Sequence, residues 1–301
     1  MRGTLTTERI TLLAASLTAV LWGLTGILVR LLPGVPPLAV ATGRLSGSLL
    51  VALPIFAISN ARRSSLRLAA NKPVAYALAS LLVGYYLLAT AAFQLAPVAE
   101  VALLLSTPPL FVLALRRIRG DVPKVLEVLG AGLAVVGIVL ILASRLALTE
   151  RAMNARLIGD TFAVCAALLT AGYAYLYRQT AKNDAAPEPS SVAFMTFLLG
   201  STILIALMSL IPAPIPADAL RGSRLLLLVA LSVLCTALPS FAFAFASKRL
   251  PPVVTATISL LIPLFAAAFA YLILGEKVPL TAIPGSAFVL AGIVMILHPN
   301  K

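Results

Sequence analysis

Arg44 is the only basic residue placed well inside an apolar run of this chain, about eight residues into the stretch 37–58. Holding a guanidinium there costs roughly 3 kcal/mol or more unless it pairs, faces water or snorkels to the interface. It can therefore receive a substrate carboxylate, clamp a neighbouring helix, or reach back to the membrane surface. Aromatic residues recur at similar depth: Trp22, Tyr85 and Tyr86, the row Tyr173, Tyr175 and Tyr177, and the row Phe241, Phe243 and Phe245. A tyrosine in mid-membrane needs a hydrogen-bond partner, so Tyr85, Tyr86 and Tyr173 are candidates for a cavity wall and Trp22 for a wall or gate. The phenylalanine row suits packing or lipid contact.

Small hydroxyl residues flank two prolines that lie inside apolar runs. Ser106 and Thr107 precede Pro108, and Thr255 and Ser259, spaced i, i+4 on one helix face, precede Pro263. Proline has no N–H and releases the carbonyl four residues earlier, here Leu104 and Ser259. In a bilayer that carbonyl must find a partner, which puts both breaks beside protein or a water-filled cavity. A kink of this kind also serves packing alone, and Ser and Thr also bond back to their own helix. Read as a site, these groups would take an ammonium while Arg44 or a hydroxyl takes a carboxylate, with Pro108 and Pro263 as gate positions. Glu100 and Asp160 fall near helix N-termini, where an acid complements the helix dipole, and are read as capping or gating residues.

The elements that must position these residues span a membrane. The chain has 301 residues, 61% hydrophobic and 11% charged, with a mean hydropathy of +1.06. Its apolar matter divides into about ten runs of roughly 20 residues, the length that crosses a hydrocarbon core of about 30 Å. The expected fold is all-α and integral to the membrane, with spans at 10–30, 37–58, 74–93, 97–117, 125–144, 158–178, 190–211, 224–246, 252–273 and 281–298. Connections are too short to hide a catalytic or nucleotide-binding domain. The net charge of +13 sits in membrane-flanking loops and is assigned to orientation and lipid headgroups, not to nucleic acid. Cys165 and Cys235 lie in apolar runs without a CxxC pair, and His298 stands alone, so neither metal nor other cofactor is expected. No GxxxxGK[ST] sequence points to direct use of ATP. The run that ends near residue 30 is too long for a signal-peptide core and is read as the first span. With the N-terminus inside, fifteen Lys and Arg fall in inside segments and seven outside, which favours both termini in the cytoplasm. The basic 145–156 connection is the dissenting piece.

The second half echoes the first. Sliding residues 95–142 onto 250–297 matches Pro97 to Pro252, Pro108 to Pro263, Gly120 to Gly275, Gly130 to Gly285 and Gly137 to Gly292, and aligns Asp121 with Glu276. The offset contains five spans, an odd number, so the second copy enters the membrane inverted, as in secondary transporters with a midplane site. The expected layout is a five-helix repeat over 1–144, a linker at 145–157 and an inverted repeat over 158–301. Gly130, Ala134, Gly137, Gly285 and Gly292 give small-residue faces for helix packing, between the halves or between protomers of a homo-oligomer.

Trp22-Gly23, Arg44, Pro97, Pro252, the segment IPLFAAAFAYLILGEKV ending in Gly275-Glu276, and the AGIVMIL run with Gly292 together resemble the drug/metabolite transporter superfamily, in its ten-helix EamA type. Arg116, Arg117 and Arg119 depart from the apolar pattern of the ninth span and mark the cytoplasmic end of the fourth. The resemblance implies a secondary exporter in the cell inner membrane. It is most similar to the branch that exports aromatic and neutral amino acids, and the cavity would be enclosed by helices one to four and six to nine. A multidrug or nucleotide-sugar-like carrier is the alternative within transport. An intramembrane enzyme would need paired His, Asp or Glu inside the spans, which the sequence lacks.

Overall fold

Prolines decide where many of the helices start. In the computed structural model, which describes residues 2–120, 122–143, 150–211, 216, 221–247, 258–277 and 280–297, α1 (Arg2–Gly23) runs into α2 (Thr25–Arg30) across a break at Leu24. Next come α3 (Pro37–Ile58), α4 (Asn60–Ala70), α5 (Pro73–Leu95), α6 (Val98–Leu104), α7 (Pro108–Ile118), α8 (Val125–Ala143), α9 (Glu150–Lys182) and α10 (Pro189–Leu210). Pro37, Pro73, Pro108 and Pro189 stand in the first turn of α3, α5, α7 and α10, where a missing N–H costs nothing and the fixed φ suits a helix. The chain continues through α11 (Gly222–Ser232), a π-helical turn Val233–Ala237, α12 (Leu238–Ser247), α13 (Leu261–Leu274), a 3₁₀ turn Leu280–Ala282 and α14 (Ile283–Leu297).

Among the described residues there is no strand, and seven helical stretches are long and apolar enough to cross a membrane: Arg9–Arg30, Pro37–Ile58, Pro73–Leu95, Val98–Ile118, Met153–Lys182, Pro189–Leu210 and Gly222–Ala246. Val125–Ile141, Leu261–Leu274 and Ile283–Leu297 are shorter apolar helices. The fourth span is two helices, since α6 stops at Leu104 and α7 restarts at Pro108. The sixth is longer than its apolar run, because α9 begins at Glu150 inside the expected linker. Pro252, Thr255, Asp121 and His298 lie outside the described residues.

Packing ties the two halves of the chain together. α1 lies against α12 and α13, α3 against α10 and α11, α5 against α9, and α6 against α13. Gly23 permits the α1–α13 approach, since a Cβ there would come 2.7 Å from the Phe265 Cβ. The tightest seam joins α8 to α14. A Cβ on Gly130 would lie 2.6 Å from the Gly292 carbonyl oxygen, and one on Gly137 would lie 2.5 Å from that of Gly285. Each glycine therefore meets the sequence counterpart of the other glycine on its own helix, and the contact is reciprocal.

Basic residues collect at one end. Lys72 donates to the Ala185 carbonyl at 2.8 Å, joining the loop after α4 to the loop after α9, and the Arg119 guanidinium stands 5.1 Å from the Tyr175 ring. α4 itself carries Arg62, Arg63 and Arg67 and rests on α10, where the Ser191 and Ser65 hydroxyls meet at 3.3 Å.

Candidate functional site

Arg44 is 2% exposed, deep in α3, and its side chain crosses to the second half of the chain. Its Nε donates to Thr236 Oγ1, and Nη2 donates to the Cys235 carbonyl at 3.1 Å. The backbone explains this choice of partner. Pro239 lies four residues after Cys235 and has no N–H to give it, so the Cys235 carbonyl is left open in the middle of the eighth span. The chain answers with a π turn at Val233–Ala237 and with the guanidinium of Arg44. Thr236 in turn donates to the Leu231 carbonyl at 2.9 Å, five residues back, so its oxygen is held in position to accept from Arg44. Ser48 fastens the same seam one turn along, donating to the carbonyls of Arg44 at 2.8 Å and Ser232 at 2.9 Å.

The guanidinium carbon lies 4.7 Å from the centre of the Tyr86 ring, a cation–π contact in place of an ion pair. Among the described residues no carboxylate pairs with Arg44. Arg has five N–H donors, and two are used on the eighth span.

Aromatic side chains surround this cation. Tyr85 and Tyr86 meet edge to face at 5.3 Å, and the Tyr86 hydroxyl meets Ser240 Oγ at 3.3 Å. Tyr173, half-buried on α9, stacks on Tyr177 at 5.9 Å, and α9 packs against α5, which carries Tyr85 and Tyr86. Phe241 packs between Phe56 and Phe197 at 6.2 and 6.1 Å. Ser240 and Phe243 are three residues apart and share a face of α12, so the Tyr86 contact leads along that face to a ring contact of 5.3 Å between Phe243 and Trp22. There a small cleft is lined by Thr18, Trp22, Phe243, Ile258, Ser259 and Ile262, beside Ala15 and Ala19. The structure thus joins Arg44, Tyr85, Tyr86 and Tyr173 into one cluster, and Trp22 and Ser259 into a cleft one turn away.

The fourth-span residues stand apart from this cluster and are turned onto their own helix. Thr107 Oγ1 donates to the Leu104 carbonyl at 2.6 Å, and the Thr107 N–H reaches the same oxygen at 3.1 Å. The carbonyl that Pro108 releases is thereby satisfied inside the break. Ser106 Oγ donates to the Ala102 carbonyl at 2.9 Å. Pro263 is buried in the first turn of α13. Thr255 lies outside the described residues. Glu100 is in the first turn of α6, and Asp160 is buried on α9, thirteen residues and so about 20 Å of helix before Tyr173.

A second polar assembly closes the end of the molecule where α2 and α13 finish and α6 starts. Gly275 takes φ +67 to end α13, and the next residue, Glu276, turns back into the protein. Its Oε2 accepts the Val98 N–H at 3.0 Å, and its Oε1 pairs with Arg30 Nη2 at 3.4 Å. Arg30 Nη1 donates to the Gln94 carbonyl at 3.3 Å, and Gln94 Nε2 to the Val35 carbonyl at 3.0 Å. One carboxylate so joins the end of α13 to the end of α2 and the start of α6, and Arg30 extends the link to the end of α5.

Reading the sequence alone passes over Thr236, Pro239, Ser240 and Glu276 as site residues. Pro239 was open to the same reasoning as Pro108, since a proline inside an apolar run names its orphaned carbonyl.

Comparison with known proteins agrees with this architecture. The model of the EamA-like transporter family matches residues 9–143 and again 157–298. An uncharacterized transporter of Archaeoglobus fulgidus is 28% identical over 205 residues, which is 68% of this chain and 69% of that protein. A solved crystal structure that is 18% identical superposes over 95% of each chain with a TM-score of 0.64, a likeness of fold.

Proposed function

The chain belongs to the EamA-like transporter family of the drug/metabolite transporter superfamily and is embedded in a membrane, and from there we propose that it exports small amphiphilic carboxylates. Aromatic and neutral amino acids or similar metabolites are the substrate class, and alternating access across the inner membrane is the mechanism. The observation that carries this reading is Arg44, a buried cation without a carboxylate partner among the described residues, set among Tyr85, Tyr86 and Tyr173. Its remaining donors suit a carboxylate, and the rings suit an apolar body.

Ten spans in two inverted repeats, 1–144 and 158–301, with both termini cytoplasmic, are the layout that accompanies this function. The double family match and the reciprocal glycine seam support it. So does the gathering of Arg62, Arg63, Arg67, Lys72 and Arg119 at one end, which would then be cytoplasmic. The Arg30–Glu276–Val98 assembly would then close the outer end, while the proline breaks of α6–α7 and α13 let the halves rock. A carrier of lipophilic cations would need a deep acid, and a nucleotide-sugar carrier more than one deep arginine.

Uptake into proteoliposomes tests the reading, using a panel of labelled amino acids with and without a proton gradient. Accumulation of an aromatic or neutral amino acid supports it. Transport of a drug or a sugar nucleotide with no amino acid moved would replace it.

A further inference from the structure

From the charges around Arg44, and resting on the export reading above, we infer that the site recognises the carboxylate and the apolar body of its substrate but not an ammonium group. The substrate class is the monocarboxylates, of which amino acids are only a part.

Three observations converge on this. First, the stretches that supply the cluster and the cleft contain no Asp or Glu at all. Residues 10–58, 73–95, 162–178, 222–247 and 258–274 are free of acids, while Arg44 stands among them. An ammonium bound beside the carboxylate on Arg44 would sit near a like charge with no anion to offset it. Second, two of the carbonyls that broken helices could offer an ammonium already have donors. Leu104 accepts from Thr107, and Cys235 accepts from Arg44. Third, the ring face best placed to attract a cation is covered, because the Arg44 guanidinium lies 4.7 Å over Tyr86. The Cys235 carbonyl and the Tyr86 ring face, which could hold a positive group at the cluster, are thus engaged by Arg44 itself.

The chain supplies its own reporter. Trp22 is its single tryptophan and lines the cleft, so emission excited at a wavelength that only indole absorbs reads occupancy without a transport assay. Purified full-length protein is titrated with three probes that share a phenyl ring: 3-phenylpropionate (anion only), phenylalanine (zwitterion) and phenethylamine (cation only). The expected result is that 3-phenylpropionate binds as tightly as phenylalanine or more tightly, with phenethylamine at least tenfold weaker than both. Arg44→Lys should weaken the acid at least fivefold while leaving phenethylamine unchanged. Phenylalanine binding more tightly than 3-phenylpropionate, or phenethylamine within tenfold of it, overturns the inference and leaves the export reading standing. Binding of none of the three overturns the carboxylate-and-ring reading itself. The wild-type comparison is decisive even if the Arg44 variant does not fold.

Discussion

Arg44 fastens α3 to the eighth span and, on the proposed function, also meets the substrate, and substitutions can separate the two roles. Arg44→Ala removes the donors to Cys235 and Thr236 and leaves polar groups orphaned in a buried seam, so we expect a loss of about 3 kcal/mol in stability, read as a lower Tm in detergent. Thr236→Val removes one acceptor while keeping size. The guanidinium then loses its fixed aim, and the apparent KM for a carboxylate substrate should rise about fivefold with kcat little changed, equivalent to roughly 1 kcal/mol. Thr236→Ser should restore it. If KM stays at the wild-type value in Thr236→Val, Arg44 is held by the rest of its surroundings and Thr236 does not position it. The importance of Arg44 was plain in the sequence, because a deep arginine in an apolar run demands a partner. The partner was not, since Cys235 and Thr236 are distant in the chain and become neighbours only on folding.

At the level of elements, the eighth span shows how a local rule and a long-range contact combine. Pro239 frees the Cys235 carbonyl, the π turn at Val233–Ala237 rearranges the ladder, and Arg44 fills the vacancy. Pro239→Ala offers Cys235 an ordinary helical N–H in competition with Arg44. We expect a more regular helix, a more stable protein and turnover reduced about tenfold, measured as kcat beside Tm. Equal turnover would assign the π turn to packing. The repeat gives no signal at Pro239, which lies outside the matched stretches 95–142 and 250–297 and stands opposite Gly84 at the same offset. Pro108, in contrast, marked the break between α6 and α7 correctly, but not that Thr107 would satisfy it from within. The same limit applies to the glycines. Their helical spacing announced a close contact, while the reciprocal pairing of α8 with α14 required the fold. Gly137→Val drives methyl groups into the Gly285 backbone and should cost about 2 kcal/mol or more, whereas Gly132→Ala meets nothing within 4 Å and should leave Tm unchanged.

For the molecule as a whole, the Arg30–Glu276–Val98 assembly is the counterpart of the site: it adds an ion pair and a hydrogen bond between the first half and the second to the packing of α2 and α6 against α13. Glu276→Gln keeps the shape but weakens both contacts. In a Cys165→Ala background, labelling of the buried Cys235 by an impermeant maleimide added outside intact cells should accelerate severalfold. An unchanged rate would mean that this end stays shut without the carboxylate. The all-helical, membrane-spanning character was legible from composition, because bilayer thickness sets the length of apolar runs locally along the chain. Which helices face one another, and which end is fastened, depends on contacts between residues such as Arg30 and Glu276 that no period in the sequence relates.

The charge on Arg44 also has an electrical consequence. Among the described residues its partners are neutral, so on the proposed function the empty carrier would hold an uncompensated positive charge at Arg44, about a third of the way along α3. A bound carboxylate would cancel that charge. Under the proposed alternating access, the loaded step would then be nearly silent electrically, and the return of the empty carrier would feel the voltage, by up to about 2.3 kcal/mol per 100 mV for a full charge crossing. A carrier of this kind would be driven at its reset stroke: imposing a potassium diffusion potential should change net transport while leaving substrate exchange nearly constant.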